Sequence, residues 1–100
     1  MPFPGISDYM ATKAAVVAYT KGWARDLAPR GITVNAIQPG AIDTDMNPAD
    51  AEDASFVTSR TPIGRFGRPE EIAAAVSFLV GPEAAFITGA SLPVDGGFSC

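Results

Sequence analysis

The first sustained pattern along the chain is helical. From about Asp8 to Ala28 one stripe reads Tyr9, Lys13, Val16, Thr20, Trp23 and Leu27, at steps of four and three. The stripe beside it reads Ala11, Ala15, Ala18 and Gly22, all small. Small residues let another backbone approach closely, so this second stripe fits packing against a further helix or against a sheet. A helix with two packing faces is expected to be buried. Ser7 stands where an N-cap belongs, Pro29 and Gly31 close the stretch, and Arg25 and Arg30 lie toward the negative end of the helix dipole.

Residues 32–37, Ile32-Thr33-Val34-Asn35-Ala36-Ile37, are rich in β-branched side chains and stop at Gln38-Pro39-Gly40, which predicts a strand. Helix, short turn and strand make the αβ half of a βαβ unit, so the sheet should be parallel. Residues 41–67 keep no period and read as a lid over a binding site, with one short helix. Pro69 suits the first position of a helix over 69–80, with Glu70 and Glu71 in its first turn and Gly81-Pro82 ending it. A terminal strand is expected at about 91–94. Pro93 cannot donate to a ladder, which puts it at a sheet edge or a strand end. Two strands are too few for a stable parallel sheet.

At 100 residues, 47% hydrophobic and 18% charged, the chain has the composition of one small globular domain with a thin core. Seven basic residues against eleven acidic ones leave a net charge of −4, which argues against nucleic-acid binding. There is no histidine, so Ser-His-Asp, Cys-His and zinc–His arrangements are all excluded. Cys100 stands alone and has no internal disulfide partner. The acidic run from Asp43 to Asp53 reads as a solvated lid surface and not as a metal site. No apolar run is long enough for a membrane span, and Met1-Pro2-Phe3-Pro4-Gly5 lacks the features of a signal peptide. The expectation is a cytoplasmic chain with no metal and no membrane partner.

The sharpest chemical feature is Tyr9-x-x-x-Lys13. Four residues apart on a helix, a phenol and an ammonium share one face. A phenol with a pKa of ~10 is a poor proton carrier at neutral pH, and a nearby cation favours its ionised form. Taken alone, the pair fits either a tuned general acid/base or a chance spacing. Asp95-Gly96-Gly97 is no phosphate loop, because no helix follows it and Gly-x-Gly-x-x-Gly occurs nowhere in the chain.

Together, Ser7-x-Tyr9-x-x-x-Lys13-Ala14-Ala15, the run from Gly31 to Met46, the run from Gly64 to Ile72 and the run from Gly89 to Gly97 resemble the short-chain dehydrogenase/reductase family. The similarity is greatest to its 3-oxoacyl-carrier-protein reductase branch. The resemblance implies an α/β fold: the C-terminal portion of a doubly wound parallel-sheet Rossmann-type fold, with the first half missing. It implies an NAD(P)-dependent oxidoreductase interconverting a carbonyl and a secondary alcohol by hydride transfer. Tyr9 would pass the proton, and Lys13 would assist the phenol and hydrogen-bond the nicotinamide ribose. Pro39 and Gly40 would pass the nicotinamide ring, with Gly40 letting the ring approach the backbone. The backbone of Ile42 would hold the carboxamide, and the Thr44 hydroxyl would contact the carboxamide or pyrophosphate side. The implied cofactor is NAD or NADP, the partner a small alcohol or ketone, and the complete enzyme a homo-oligomer, dimer or tetramer.

Residues 1–100 thus match the C-terminal part of a family domain that runs to roughly 250 residues. The glycine-rich loop, the ribose-selecting residue, the structural Asn and the catalytic Ser are expected upstream of Tyr9, before Met1; Ser7 is too close to Tyr9 to serve. The competing reading is a non-catalytic interaction module that keeps the family's dimerisation surfaces.

Overall fold

In a computed structural model, residues 6–46, 48–50, 52 and 54–100 are described. The chain divides into two compact units, Met1–Ala36 with Ala85–Ser91, and Ile37–Ala84 with Leu92–Cys100.

The first unit is dominated by helix α1, Ile6–Leu27. It begins one residue before Ser7, so Ser7 lies within the first turn and is not the N-cap. It stops at Leu27 because Pro29 has no N–H to continue the ladder. A 3-10 turn, Ala28–Arg30, follows, and Gly31 at φ +75° returns its N–H to the Ala28 carbonyl. The Thr12 and Thr20 hydroxyls donate to the carbonyls four residues back, at 2.8 and 2.7 Å, so buried Thr20 is satisfied inside its own helix. The expectation of a buried helix is corrected by the structure. Of the described residues of α1, only Thr20 and Ala24 are buried, while Tyr9, Val16 and Trp23 remain 52%, 48% and 52% exposed. The reason is local: Gly89 comes in against Ala24, where an added Cβ would meet the Ala24 Cβ at 3.5 Å. That contact covers about one turn of a six-turn helix.

The strand expected at 32–37 also moves. The observed strand β1 is Ala36–Pro39, paired in parallel with β2, Ser91–Val94. Residues 34 and 35 are tied to the 87–90 segment by side chains and by one backbone bond, from the Gly89 N–H to the Val34 carbonyl at 2.7 Å, outside the regular ladder. The Val34 N–H donates to the Thr88 hydroxyl at 3.0 Å, and the Asn35 amide bridges the Ile87 carbonyl and the Ala90 N–H. Regular pairing starts at Ala36, whose N–H reaches the Ala90 carbonyl at 2.9 Å. β-branched residues favour an extended backbone, but the partner chain decides where a ladder can run.

In the second unit the Gly40 N–H donates to the Val94 carbonyl at 3.1 Å. By strand alternation the N–H side of Pro39 faces away from β2, and that of Pro93 away from β1. Neither proline therefore costs a ladder bond, which is how both are tolerated. The 41–67 segment holds one short helix, α2, Ala54–Ser59, and leads into α3, Pro69–Val80, capped by Gly81. Ala54, Thr61, Phe66, Leu79 and Ala84 form a small core. The end of the segment is pinned by the loop after β2: Ile63 N–H donates to the Gly96 carbonyl at 3.0 Å. Gly96 and Gly97, at φ +62° and +90°, make the turn, and Asp95 closes it by accepting from the Gly97 and Ser99 N–H groups.

Candidate functional site

Tyr9 and Lys13 stand one turn apart on α1, and the Lys13 ammonium lies 5.3 Å from the centroid of the Tyr9 ring, over its face. The phenol is half exposed. Helical spacing alone brings the two together. Farther along α1, the Tyr19 and Trp23 rings pack with centroids 5.1 Å apart.

Pro39, Gly40, Ile42 and Thr44 lie in one stretch of the second unit. Pro39 ends β1 and Gly40 follows it. Gly40 is demanded by the chain's own packing, since a Cβ there would stand 2.7 Å from the Asp95 Cβ and 2.8 Å from its Cα. Ile42 forms an isolated parallel bridge with Gly67. Gly67 donates to the Ala41 carbonyl and accepts from the Asp43 N–H, both at 2.9 Å. These bonds use the carbonyl before Ile42 and the amide after it. The N–H and C=O of Ile42 itself therefore point to the opposite side, as one donor and one acceptor side by side. A primary amide needs that complement: its carbonyl accepts and its NH2 donates. Thr44 lies two residues on and is exposed.

A feature not anticipated from the sequence adjoins Ile42. A cavity of about 280 Å³ is lined by Ile42, Ile63, Gly67 and Asp95, with Arg65 and Glu71 at its side. Arg65 grips both oxygens of Glu71, at 2.7 and 2.9 Å, and its Nη1 also donates to the Phe66 carbonyl at 2.9 Å. Glu71 in turn accepts the Arg68 N–H at the start of α3 at 2.9 Å. Hydrogen bonds from Arg65, then from the Arg68 N–H, hold the Glu71 carboxyl down to a pKa of about 2. Asp95 is held below the usual carboxylate range, chiefly by hydrogen bonding from Ser99. The spacing Arg68-x-x-Glu71 is that of a capping box and could have placed Glu71 at the start of α3, but nothing in it points to Arg65.

The family model described as enoyl-(acyl carrier protein) reductase matches residues 1–99. A short-chain dehydrogenase from Burkholderia cenocepacia J2315, solved in complex with NADP, superimposes with a TM-score of 0.91 at 50% identity, covering 100% of this chain and 41% of that one. The chain belongs to the short-chain dehydrogenase/reductase family. Among relatives of this family, the 3-oxoacyl-[acyl-carrier-protein] reductase FabG of Vibrio harveyi is 52% identical over 94 residues, covering 93% of this chain and 38% of the relative. The cyclic-di-GMP-binding biofilm dispersal mediator protein of Escherichia coli K12 is 49% identical over 98 residues, with 98% and 41% covered. The chain thus spans about two-fifths of the length of the curated relatives it matches. Short-chain dehydrogenase/reductases are NAD(P)-dependent oxidoreductases with a Rossmann-type α/β fold, and the helices and parallel strand pair described above form part of such a fold. Among the described residues no helix is long and apolar enough to cross a membrane. No group of three or more acidic or cysteine side chains among them could hold a metal ion.

Proposed function

We propose that this chain is the C-terminal part of a cytoplasmic NAD(P)-dependent oxidoreductase, homo-oligomeric when whole, that interconverts a small ketone and its secondary alcohol. The observation that carries the reading is the Tyr9–Lys13 pair, an ammonium 5.3 Å from a half-exposed phenol ring on an open helix face. The N–H and C=O of Ile42, which point away from Gly67 and have no hydrogen-bond partner among the described residues, support it independently, as the complement of a nicotinamide carboxamide. When bound, the nicotinamide supplies or accepts the hydride. In reduction Tyr9 gives its phenolic proton to the carbonyl oxygen as the carbon gains the hydride, leaving an alcohol and a phenolate. In oxidation the same oxygen takes the proton back. The positive charge of Lys13 stabilises the phenolate, and its remaining N–H donors are available to the ribose hydroxyls. Ile42 fixes the ring by its carboxamide, with Pro39, Gly40 and Thr44 bounding the same strand end, the usual ligand end of an open α/β sheet.

The test is kinetic, on the whole enzyme. Tyr9→Phe should lower turnover by about a hundredfold or more, the contribution of a positioned acid/base, with cofactor affinity nearly unchanged. Lys13→Met should lose both rate and cofactor affinity. Near-normal turnover in Tyr9→Phe sinks the assignment.

A further inference from the structure

We propose that Glu71 is a positioning residue for the nicotinamide carboxamide: it straps residues 65–68 to the start of α3, which holds Gly67 against Ile42 and so aims the Ile42 peptide. The inference rests on the reading of Ile42 as the carboxamide contact. The line of contacts is continuous within the second unit. At one end, the Glu71 carboxylate accepts three hydrogen bonds, two from the Arg65 guanidinium and one from the Arg68 N–H. The Glu71 N–H returns a bond to the Arg68 carbonyl at 2.9 Å. Arg65 also donates to the Phe66 carbonyl, so every residue from Arg65 to Arg68 except Gly67 is tied to this knot. Phe66, only 6% exposed, anchors the segment in the small core.

Gly67 is left to serve Ile42. Its N–H and carbonyl both go to the residues flanking Ile42, which fixes the two peptide planes on either side of it. The approach is tight, since a Cβ on Gly67 would stand 2.7 Å from the Ile42 Cδ1. Free rotation of either Ile42 peptide would cost a bond to Gly67. The Arg65–Glu71 side chains are 44% and 40% exposed, so their attraction adds little to stability. What the pair adds is geometry: a planar bidentate fork fixes direction as well as distance. A side chain that only capped α3 would need Arg68 alone. Arg65 and Glu71 line the same cavity as Ile42.

The experiment compares two ligands in the whole protein that carries this chain. NADPH or NADH, whichever binds tighter, and ADP-ribose, which has no nicotinamide, are titrated by calorimetry against wild type, Glu71→Gln and Arg65→Met. Amide exchange at Gly67 and Asp43 is followed in the absence of ligand. Glu71→Gln should weaken the nicotinamide cofactor by about tenfold, the worth of about one hydrogen bond, and leave ADP-ribose unchanged. Arg65→Met should shift the ratio in the same direction, and both variants should speed exchange at Gly67 and Asp43. Arg65 is exposed and decides the question if Glu71→Gln fails to fold. Equal weakening of both ligands, or an unchanged ratio, overturns the positioning role alone. Wild type that binds ADP-ribose as tightly as the nicotinamide cofactor overturns the reading of Ile42 itself, and the positioning role with it.

Discussion

A Cβ on Gly40 would fall within 2.8 Å of both Asp95 Cα and Asp95 Cβ, so the residue after Pro39 must be glycine for the β2 loop to close against it. The family resemblance implied a place for a ring to approach the backbone at Pro39-Gly40; within this chain Gly40 lets the chain approach itself. Glu71 was legible only as a first-turn acid suited to a helix dipole. Its tie to Arg65 is six residues away in sequence and follows no helical spacing, so only the folded loop brings the two together. That tie has a pH signature. The Glu71 carboxyl titrates at about 2 in the folded state, below the 4.5 of a free glutamate. Its contribution to stability is therefore complete above the unfolded value and is lost as the pH falls through that window. Asp95 acts in the same direction. In the whole protein at low salt, the melting temperature of wild type should fall more steeply than that of Glu71→Gln between about pH 5 and pH 2. Parallel curves would mean that the pair is not formed in solution.

At the scale of elements, the helical period of α1 and the proline start of α3 were plain in the sequence, because both depend on neighbours within one or two turns. The strand was displaced from 32–37 to Ala36–Pro39, because its bounds depend on where a distant segment, residues 87–94, runs alongside. Burial was misjudged for the same reason. The stripe Ala11, Ala15, Ala18 and Gly22 is exposed in this chain, and an added Cβ on Gly22 would meet nothing within 4 Å. Within the chain, then, a larger residue at position 22 has room, and any penalty must come from another surface. In the proposed oligomer that surface is a helix of a second subunit. Gly22→Leu should therefore leave the helical circular dichroism of the whole protein intact while overpacking such a contact by about 1–3 kcal/mol. Light scattering should show the assembly falling to smaller species. An unchanged assembly would show that no helix packs there.

For the molecule as a whole, the α/β character and the family were legible because local motifs stand in order along nearly all of the chain. How much apolar surface would stay uncovered was not, since that depends on what else is present. Tyr9, Val16, Tyr19 and Trp23 line α1 in the open, and Met46 and Phe86 are almost wholly exposed. Among the described residues, β1 and β2 have only each other as strand partners, so each keeps one unpaired edge. The sequence as written also has no Gly-x-Gly-x-x-Gly turn to present backbone N–H groups to a pyrophosphate. Hydride transfer also needs the two reacting carbons held in register. These 100 residues, produced by themselves, should therefore bind neither NADH nor NADPH measurably and show no dehydrogenase activity. They should also self-associate through their open edges. The check is fluorescence titration of the purified chain with both cofactors, beside circular dichroism and sedimentation. Micromolar binding by a cooperatively folded monomer would refute this and favour a self-sufficient module.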